Sequence, residues 1–190
     1  VLSISARHQN ISHRKALQAT LRQANSLHFT SAIEYQQAQG VLPTPITSYI
    51  VPLAVEWTDF LQLPAQRIAR MHLNVPNDEL VLLFMGRLEE RKAVDVLLKA
   101  IFHFRTHNSR FHLFIAGPDG GMRATLESLT AQLGLRKWVT FAGSVDNEMR
   151  ANLLAAADIA LLVSRAGENF GHSGAEAMAA GLPVLVSNHT

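Results

Sequence analysis

The sequence predicts an α/β fold built on a doubly wound parallel sheet, and three observations carry that prediction. Short apolar runs alternate with amphipathic stretches along the 190 residues. Several of the runs, VLLF and IALLV among them, are apolar on both faces, as strands buried on both sides of a parallel sheet must be. The spacing of strand, helix, strand, helix fits right-handed βαβ units.

Strands are expected at residues 27–30, 46–51, 80–85, 111–116, 139–142, 159–163 and 183–187. The segment HRKALQATLRQAN, residues 13–25, sets Leu17, Leu21 and Ala24 on one helical face with Arg14, Lys15 and Arg22 elsewhere. AVDVLLKAIFHF, MRATLESLTAQL and NEMRANLLAAA follow the same pattern. Asp146 stands where an N-cap belongs, and Gly134 and Gly181 stand where helices should stop. Residues 1–52 hold only two strand signals, too few for a domain, and read as the end of a preceding one. Residues 53–190 then form a Rossmann-like domain, with the boundary inside IVPLAVEWTDF. The chain opens at Val1 and stops at Thr190, just after an apolar run, so it reads as truncated at both ends.

Composition narrows the function classes. The absence of cysteine excludes disulfides and thiolate metal sites. A formal charge of +2 is too small to suggest a nucleic-acid partner. The basic excess lies in residues 1–52, with four basic side chains against one acidic. No apolar run approaches the ~18 residues of a membrane span, and no signal-peptide pattern is present.

Ligands of open α/β sheets bind beyond the C-terminal ends of the strands, and two such ends are chemically loaded. In FMGRLEERKAV, Gly86 permits close backbone approach, while Arg87 and Lys92, the latter expected to begin the next helix, offer two cations suited to a diphosphate. The alternative is surface pairing of Arg87 and Lys92 with Glu89, Glu90 or Asp95, with Arg91 solvated. In GENFGHSGAEAMAAGLPV, a glycine-rich turn leads into a helix beginning near Ser173, which makes an anion site of its free N–H groups. Glu168 and Glu176 flank that turn. A carboxylate is no anion ligand, but it accepts hydrogen bonds from hydroxyls attached to the anion, as in a sugar nucleotide. For Glu176 the alternative is a capping box with Ser173, three residues before it.

The spacing from Glu168 to Glu176, E-x-x-x-x-x-x-x-E within ENFGHSGAEAMAAGLPVLVSN, together with GRLEERK upstream, resembles the nucleotide-binding half of the retaining glycosyltransferases of the GT-B fold. That superfamily includes sucrose synthase, bacterial glycogen synthase and the phosphatidylinositol mannosyltransferases. The resemblance extends over nearly the whole chain, through LHFTSAIEYQQA and YIVPLAVEWTDF near its start and FHLFIAGPDGG and VTFAGSVDNEMRANLLAAADIALLVS between the motifs. It implies that residues 1–52 end an acceptor-binding domain and that residues 53–190 bind the donor. It implies that Arg87 and Lys92 hold the donor diphosphate, that Glu168 contacts the donor sugar and Glu176 the ribose, and that backbone N–H groups of Phe170, Gly171 and His172 lie near sugar and phosphate. The implied reaction moves a sugar from a nucleotide-diphosphate sugar to an acceptor hydroxyl, on a sugar, a lipid or another molecule, with retention of configuration. It belongs to polysaccharide or glycoconjugate biosynthesis, with no metal or other cofactor, in the cytoplasm or at its membrane face. Consistently, the chain has no D-x-D motif. One departure is Ala93, where the family usually has glycine; the extra methyl is expected to cost little.

Weaker signals have plainer readings. His103 and His107, with His112 following, have zinc-like spacing but lack the glutamate of H-E-x-x-H. His172 is either a phosphate or hydroxyl donor or a solvent-facing loop residue. GPDGG lacks the dinucleotide-binding spacing and reads as a tight strand-to-helix turn. The basic helix 13–25 reads as a solvated face, with contact to an anionic membrane or acceptor as the alternative. Competing functions are a sugar-nucleotide epimerase, which lacks the paired glutamates, a phosphorylase, for which no pyridoxal-phosphate lysine motif is visible, and a non-catalytic nucleotide-sugar-binding module.

Overall fold

A computed structural model describes residues 19–40, 42, 46–165, 168 and 170–188. Residues 13–18 of the helix expected over 13–25 lie outside them; of its described residues, 19–21 are helical and 22–25 are not, so the helix ends four residues earlier than expected. The chain divides into two compact units, residues 1–54 and 55–190. None of the described helices is long and apolar enough to cross a membrane.

In the first unit, β1 (Ser26–Phe29) pairs in parallel with β2 (Thr47–Ile50). Between them runs α1 (Ala32–Ala38), capped by the Ser31 hydroxyl, which accepts the Glu34 N–H at 3.1 Å. Glu34 reaches back in turn and accepts from the backbone N–H and the hydroxyl of Thr30, both at 2.7 Å. This is a capping box whose return bond falls one residue before the cap. Leu21, Phe29 and Ala38 form the small core beneath it.

The second unit carries five parallel strands: β3 (Leu80–Met85), β4 (Phe111–Ala116), β5 (Val139–Gly143), β6 (Ile159–Leu162) and β7 (Val184–Val186), in the spatial order β5-β4-β3-β6-β7. All seven expected strands are present within one or two residues of their expected ends. β3 is central, paired with β4 from Leu80↔Phe111 to Met85↔Ala116 and with β6 from Leu82↔Ile159 to Phe84↔Leu161.

Because side chains alternate along a strand, β3 and β4 feed two cores. Leu82, Phe84, Phe111, Leu113 and Ile115 pack with Leu97, Leu98 and Ile101 of α3 (Val94–Arg105) and Leu126 of α4 (Arg123–Gln132). Val81, Leu83, Phe114 and Ala116 pack with Leu153 and Leu154 of α5 (Asn147–Ala156) and Ala177 of α6 (His172–Ala179). Both faces of the sheet are therefore covered, which explains why these strands read as unbroken apolar runs. Asp146 caps α5 by accepting the Met149 N–H at 2.8 Å, and Gly134 and Gly181 take left-handed conformations (φ 65° and 81°) where α4 and α6 end.

A further helix, α2 (Gln66–His72), carries a buried arginine. The Arg70 guanidinium donates to the carbonyls of Ala156 (3.1 Å), Asn77 (2.7 Å) and Glu79 (3.1 Å) and to the Asp158 carboxylate (2.7 Å). The same Asp158 oxygen accepts the N–H of Val81, the second residue of β3, at 2.8 Å. One side chain thus ties α2, the end of α5 and the entry of β3 and β6 together. Removing one partner of a buried pair strands the other. Arg70→Ala is expected to destabilise the protein by about 3–5 kcal/mol, read as a lowered urea midpoint; a loss below about 1 kcal/mol would show that the network is dispensable.

Candidate functional site

Strand order reverses between β3 and β6, since β4 and β5 lie on one side of β3 while β6 and β7 lie on the other. The loops leaving β3 and β6 therefore diverge and leave a crevice at the C-terminal edge of the sheet. Both motif segments occupy these loops.

The β3 exit is held by close backbone contact. Gly86 N–H donates to the Ala116 carbonyl (2.9 Å) and Gly117 N–H to the Gly143 carbonyl (2.7 Å), which stitches the ends of β3, β4 and β5 together. Gly117 has φ 144°, and a Cβ there would stand 1.9 Å from the Gly86 carbonyl oxygen. No side chain fits. The GPDGG turn then closes on Leu88, whose N–H donates to the Pro118 carbonyl (2.9 Å) and whose carbonyl accepts from Gly120 (3.0 Å) and Met122 (3.2 Å). A Cβ at Gly120 would lie 2.9 Å from Arg87 Cγ, so this turn also grips the stem of Arg87. The Asp119 carboxylate accepts the N–H groups of Gly121, Met122 and Arg123 at 2.8–3.1 Å, and these bonds, Arg123 first, hold its pKa below the ordinary carboxylate range.

Lys92 does not begin the next helix, as its position in the sequence suggests. It ends a 3₁₀ turn, Glu90–Lys92, and is 8% exposed. Its stem runs beside Gly86, where a Cβ would be 3.9 Å from Lys92 Cε, and its ammonium forms an ion pair with Glu168. Ala93 follows in the left-handed region (φ 51°, ψ 29°) before α3 starts at Val94. The expectation that its methyl costs little is corrected by this geometry: a left-handed alanine carries about 1–2 kcal/mol of strain.

The β6 exit is fastened to the same turn. The Ser164 hydroxyl and the Arg165 N–H both donate to the Arg91 carbonyl, at 3.1 and 2.8 Å. The Arg165 guanidinium donates to the Glu90 carbonyl and the Asp95 carboxylate, both at 2.6 Å. Burial, the largest single influence on Asp95, pushes its pKa up; the Arg165 hydrogen bond and charge, together with the backbone N–H groups of Asp95 and Val96, outweigh it and leave the pKa lowered. The Asp95 bond likewise raises Arg165.

α6 begins at His172, after a left-handed Gly171 (φ 74°) and with no side-chain cap. The helix thus starts before Ser173, and the capping box of Ser173 with Glu176 does not form. Glu176 turns instead to α5, where Arg150 donates to it at 2.8 Å, and His172 Nδ1 lies 3.5 Å from the same oxygen.

A cavity of about 380 Å³ opens between these loops. Gly86, Arg87, Arg150, His172, Ser173 and Glu176 line it, together with Gly117, Pro118, Ser144 and Val145 from the β4 and β5 exits. Lys92 and Glu168, paired with each other, and Phe170 and Gly171 are not in that lining. Of the carboxylates named as alternative partners of Arg87, Glu89 is engaged by Arg91 and Asp95 by Arg165, and no carboxylate among the described residues, Glu90 included, pairs with Arg87. The His107 ring bonds to the Thr106 hydroxyl, the His103 ring packs edge-on against Phe102, and His112 bonds to Thr140, with burial pushing its pKa below the ordinary value. Among the described residues, no three His, Asp or Glu side chains gather as metal ligands.

A doubly wound domain with a crevice at its switch point, lined here by Arg87 and Arg150, is the arrangement in which open α/β sheets bind ligands. The family model described as glycosyl transferases group 1 matches residues 66–190, and the chain belongs to that family. An uncharacterised glycosyltransferase of Methanocaldococcus jannaschii is 41% identical over 120 residues, covering 63% of this chain and 30% of that protein. The D-inositol 3-phosphate glycosyltransferase of Acidothermus cellulolyticus is 33% identical over 167 residues, covering 84% of this chain and 36% of that protein. Among solved structures, sucrose-phosphate synthase from Thermosynechococcus elongatus superimposes with a TM-score of 0.81 at 27% identity, over 99% of this chain and 46% of that one. HepE of Anabaena, in complex with UDP and glucose, superimposes at 0.86 with 21% identity, over 98% of this chain and 51% of that one, which bears on the fold. The chain spans about a third of these curated relatives' length and about half of the solved structures'. The fold is the Rossmann-like domain of a GT-B glycosyltransferase, as expected.

The close approach at Gly117 is testable. Gly117→Ala is expected to destabilise by about 3 kcal/mol, since the clash is with backbone, whereas Gly121→Ala, at φ 97° in open space, should cost about 1–2 kcal/mol. Equal losses in urea denaturation would contradict this account of the β3–β4 exit.

Proposed function

We propose that this chain supplies the donor-binding part of a glycosyltransferase, which moves a sugar from a nucleoside-diphosphate sugar to an acceptor hydroxyl with retention of configuration. The observation that carries it is the cavity at the sheet's switch point, lined by Gly86, Arg87 and the start of α6, with the Lys92 stem beside Gly86 and its ammonium paired with Glu168 behind that lining. The structurally similar HepE is recorded in complex with UDP and glucose, which is consistent with this reading.

In this reading the diphosphate lies between the β3 exit and α6. Arg87 offers a planar fork with no carboxylate to displace, and the first N–H groups of α6 lack intrahelical partners and point along the helix dipole. Gly86, Phe170, Gly171 and His172 contribute backbone around sugar and phosphate. Lys92 and Glu168 act as a unit, the ammonium beside a phosphate oxygen and the carboxylate accepting a hydroxyl of the donor sugar. Their mutual pairing holds both side chains in place. Glu176 accepts from the ribose hydroxyls. The acceptor oxygen attacks the anomeric carbon from the face that the diphosphate leaves. Negative charge grows on the departing phosphate at the transition state, and fixed cations and N–H dipoles there lower the barrier without reorganising. No metal is assigned a part, because Arg87 and Lys92 supply the positive charge.

Calorimetric titration with UDP, GDP and ADP tests the reading. One nucleotide is expected to bind, and Arg87→Ala should weaken it by about 1.5–3 kcal/mol, the worth of a charge-assisted contact. Unchanged affinity in that variant would sink the diphosphate assignment. In the enzyme supplied with donor and acceptor, Glu168→Gln is expected to lower kcat far more than it weakens the free nucleotide; equal losses would count against a sugar-side role for Glu168.

A further inference from the structure

Arg150 lies on the fourth residue of α5, in a stretch with no motif, yet it lines the cavity. Its guanidinium donates to Glu176 Oε1 at 2.8 Å and lies 5.8 Å from the centroid of the Phe60 ring. The ion pair is half-sheltered, with side-chain exposures of 25% for Arg150 and 16% for Glu176. The carboxylate is thus approached from one side by a cation that is itself held against an aromatic face. His172 Nδ1, 3.5 Å from the same Oε1, completes its polar surroundings among the described residues.

An ionised carboxylate accepts hydrogen bonds through two oxygens and about four lone pairs. Arg150 takes the direction toward α5 at Oε1. Oε2 and the remaining lone pairs are left to a ligand in the cavity. Without the cation, Glu176 has no other charged partner at this distance and is free to leave that rotamer, so a hydroxyl reaching it must also order it.

We propose that Arg150 is the positioning residue that fixes the Glu176 carboxylate for recognition of the ribose hydroxyls, and so sets the preference of this site for ribonucleotides over deoxyribonucleotides. The inference rests on the nucleotide-sugar reading of the cavity and adds to it a residue outside both motifs. Arg150 acts through Glu176 and need not touch the nucleotide.

The test compares UDP, GDP and ADP with their 2′-deoxy and 3′-deoxy forms by calorimetry, on the wild-type protein, Arg150→Ala and Arg150→Lys. The wild type is expected to prefer the ribonucleotide roughly tenfold, the worth of one hydrogen bond to a charged acceptor. Arg150→Ala should bring that ratio close to one while leaving affinity for the deoxy form that lacks the recognised hydroxyl nearly unchanged. Arg150→Lys should restore part of the ratio. A merely structural or phosphate-contacting arginine would instead weaken both forms alike and preserve the ratio, and that result overturns the inference while leaving the nucleotide reading intact. So would a wild type that binds ribo and deoxy forms equally. Failure of the folded wild type to bind any of the three nucleotides would overturn the nucleotide reading itself, and the inference with it.

Discussion

The reversal of winding at β3 is the constraint on which the rest of this structure depends. Once β3 pairs with β4 on one edge and β6 on the other, every connection on one side must run to one face of the sheet and every connection on the other side to the opposite face. The loops leaving β3 and β6 then separate, and the crevice between them is a consequence of topology. Its side chains need supply only chemistry. The apolar pattern of β3 follows from the same fact, because Leu82 and Phe84 face one set of helices while Val81 and Leu83 face the other.

The two ends of β3 solve opposite electrostatic problems. At its entry, Arg70 and Asp158 are held by backbone groups and by each other. At its exit, Lys92 is almost as buried but has the carboxylate of Glu168 as its partner, while Arg87 lines the cavity with no carboxylate paired to it among the described residues. Burying a charge is expensive unless it is paired, so the Lys92–Glu168 pair is what permits an ammonium to stand this deep in a crevice. The Ser164 and Arg165 bonds to the 90–95 turn hold the backbones of both partners together.

Backbone proximity does the remaining work. Gly117 lets the β4 exit lie against Gly86, and Gly120 lets the following turn close over Arg87. The GPDGG segment contributes no dinucleotide fingerprint, yet it controls where the cation of the neighbouring loop can stand. Ala93 shows the opposite case, a left-handed residue with a methyl group, tolerated where the tight passage from the 3₁₀ turn into α3 leaves no alternative.

What the sequence by itself determined is the part governed by periodicity and local bonding. The seven strands, helices α3 to α5, the Asp146 cap and the Gly134 and Gly181 stops are written in patterns of two and 3.6 residues and in residues with singular backbone preferences. The motif spacing likewise marked both loaded loops and the family. Helix α2 escaped because it is seven residues long, has Ala65 at its N-cap position and so no side-chain cap, and buries an arginine where periodicity asks for an apolar residue. Tertiary structure alone decided the partners of the charges. Ser173 and Glu176 have capping spacing, but whether the box forms depends on where Gly171 turns the chain, and that turn hands Glu176 to Arg150 on another helix. Lys92 and Glu168 are 76 positions apart, and Arg150 and Glu176 26 apart. Local sequence specifies the geometry of a turn; the identity of a long-range partner depends on which strands become neighbours, and that is settled only when the sheet is assembled.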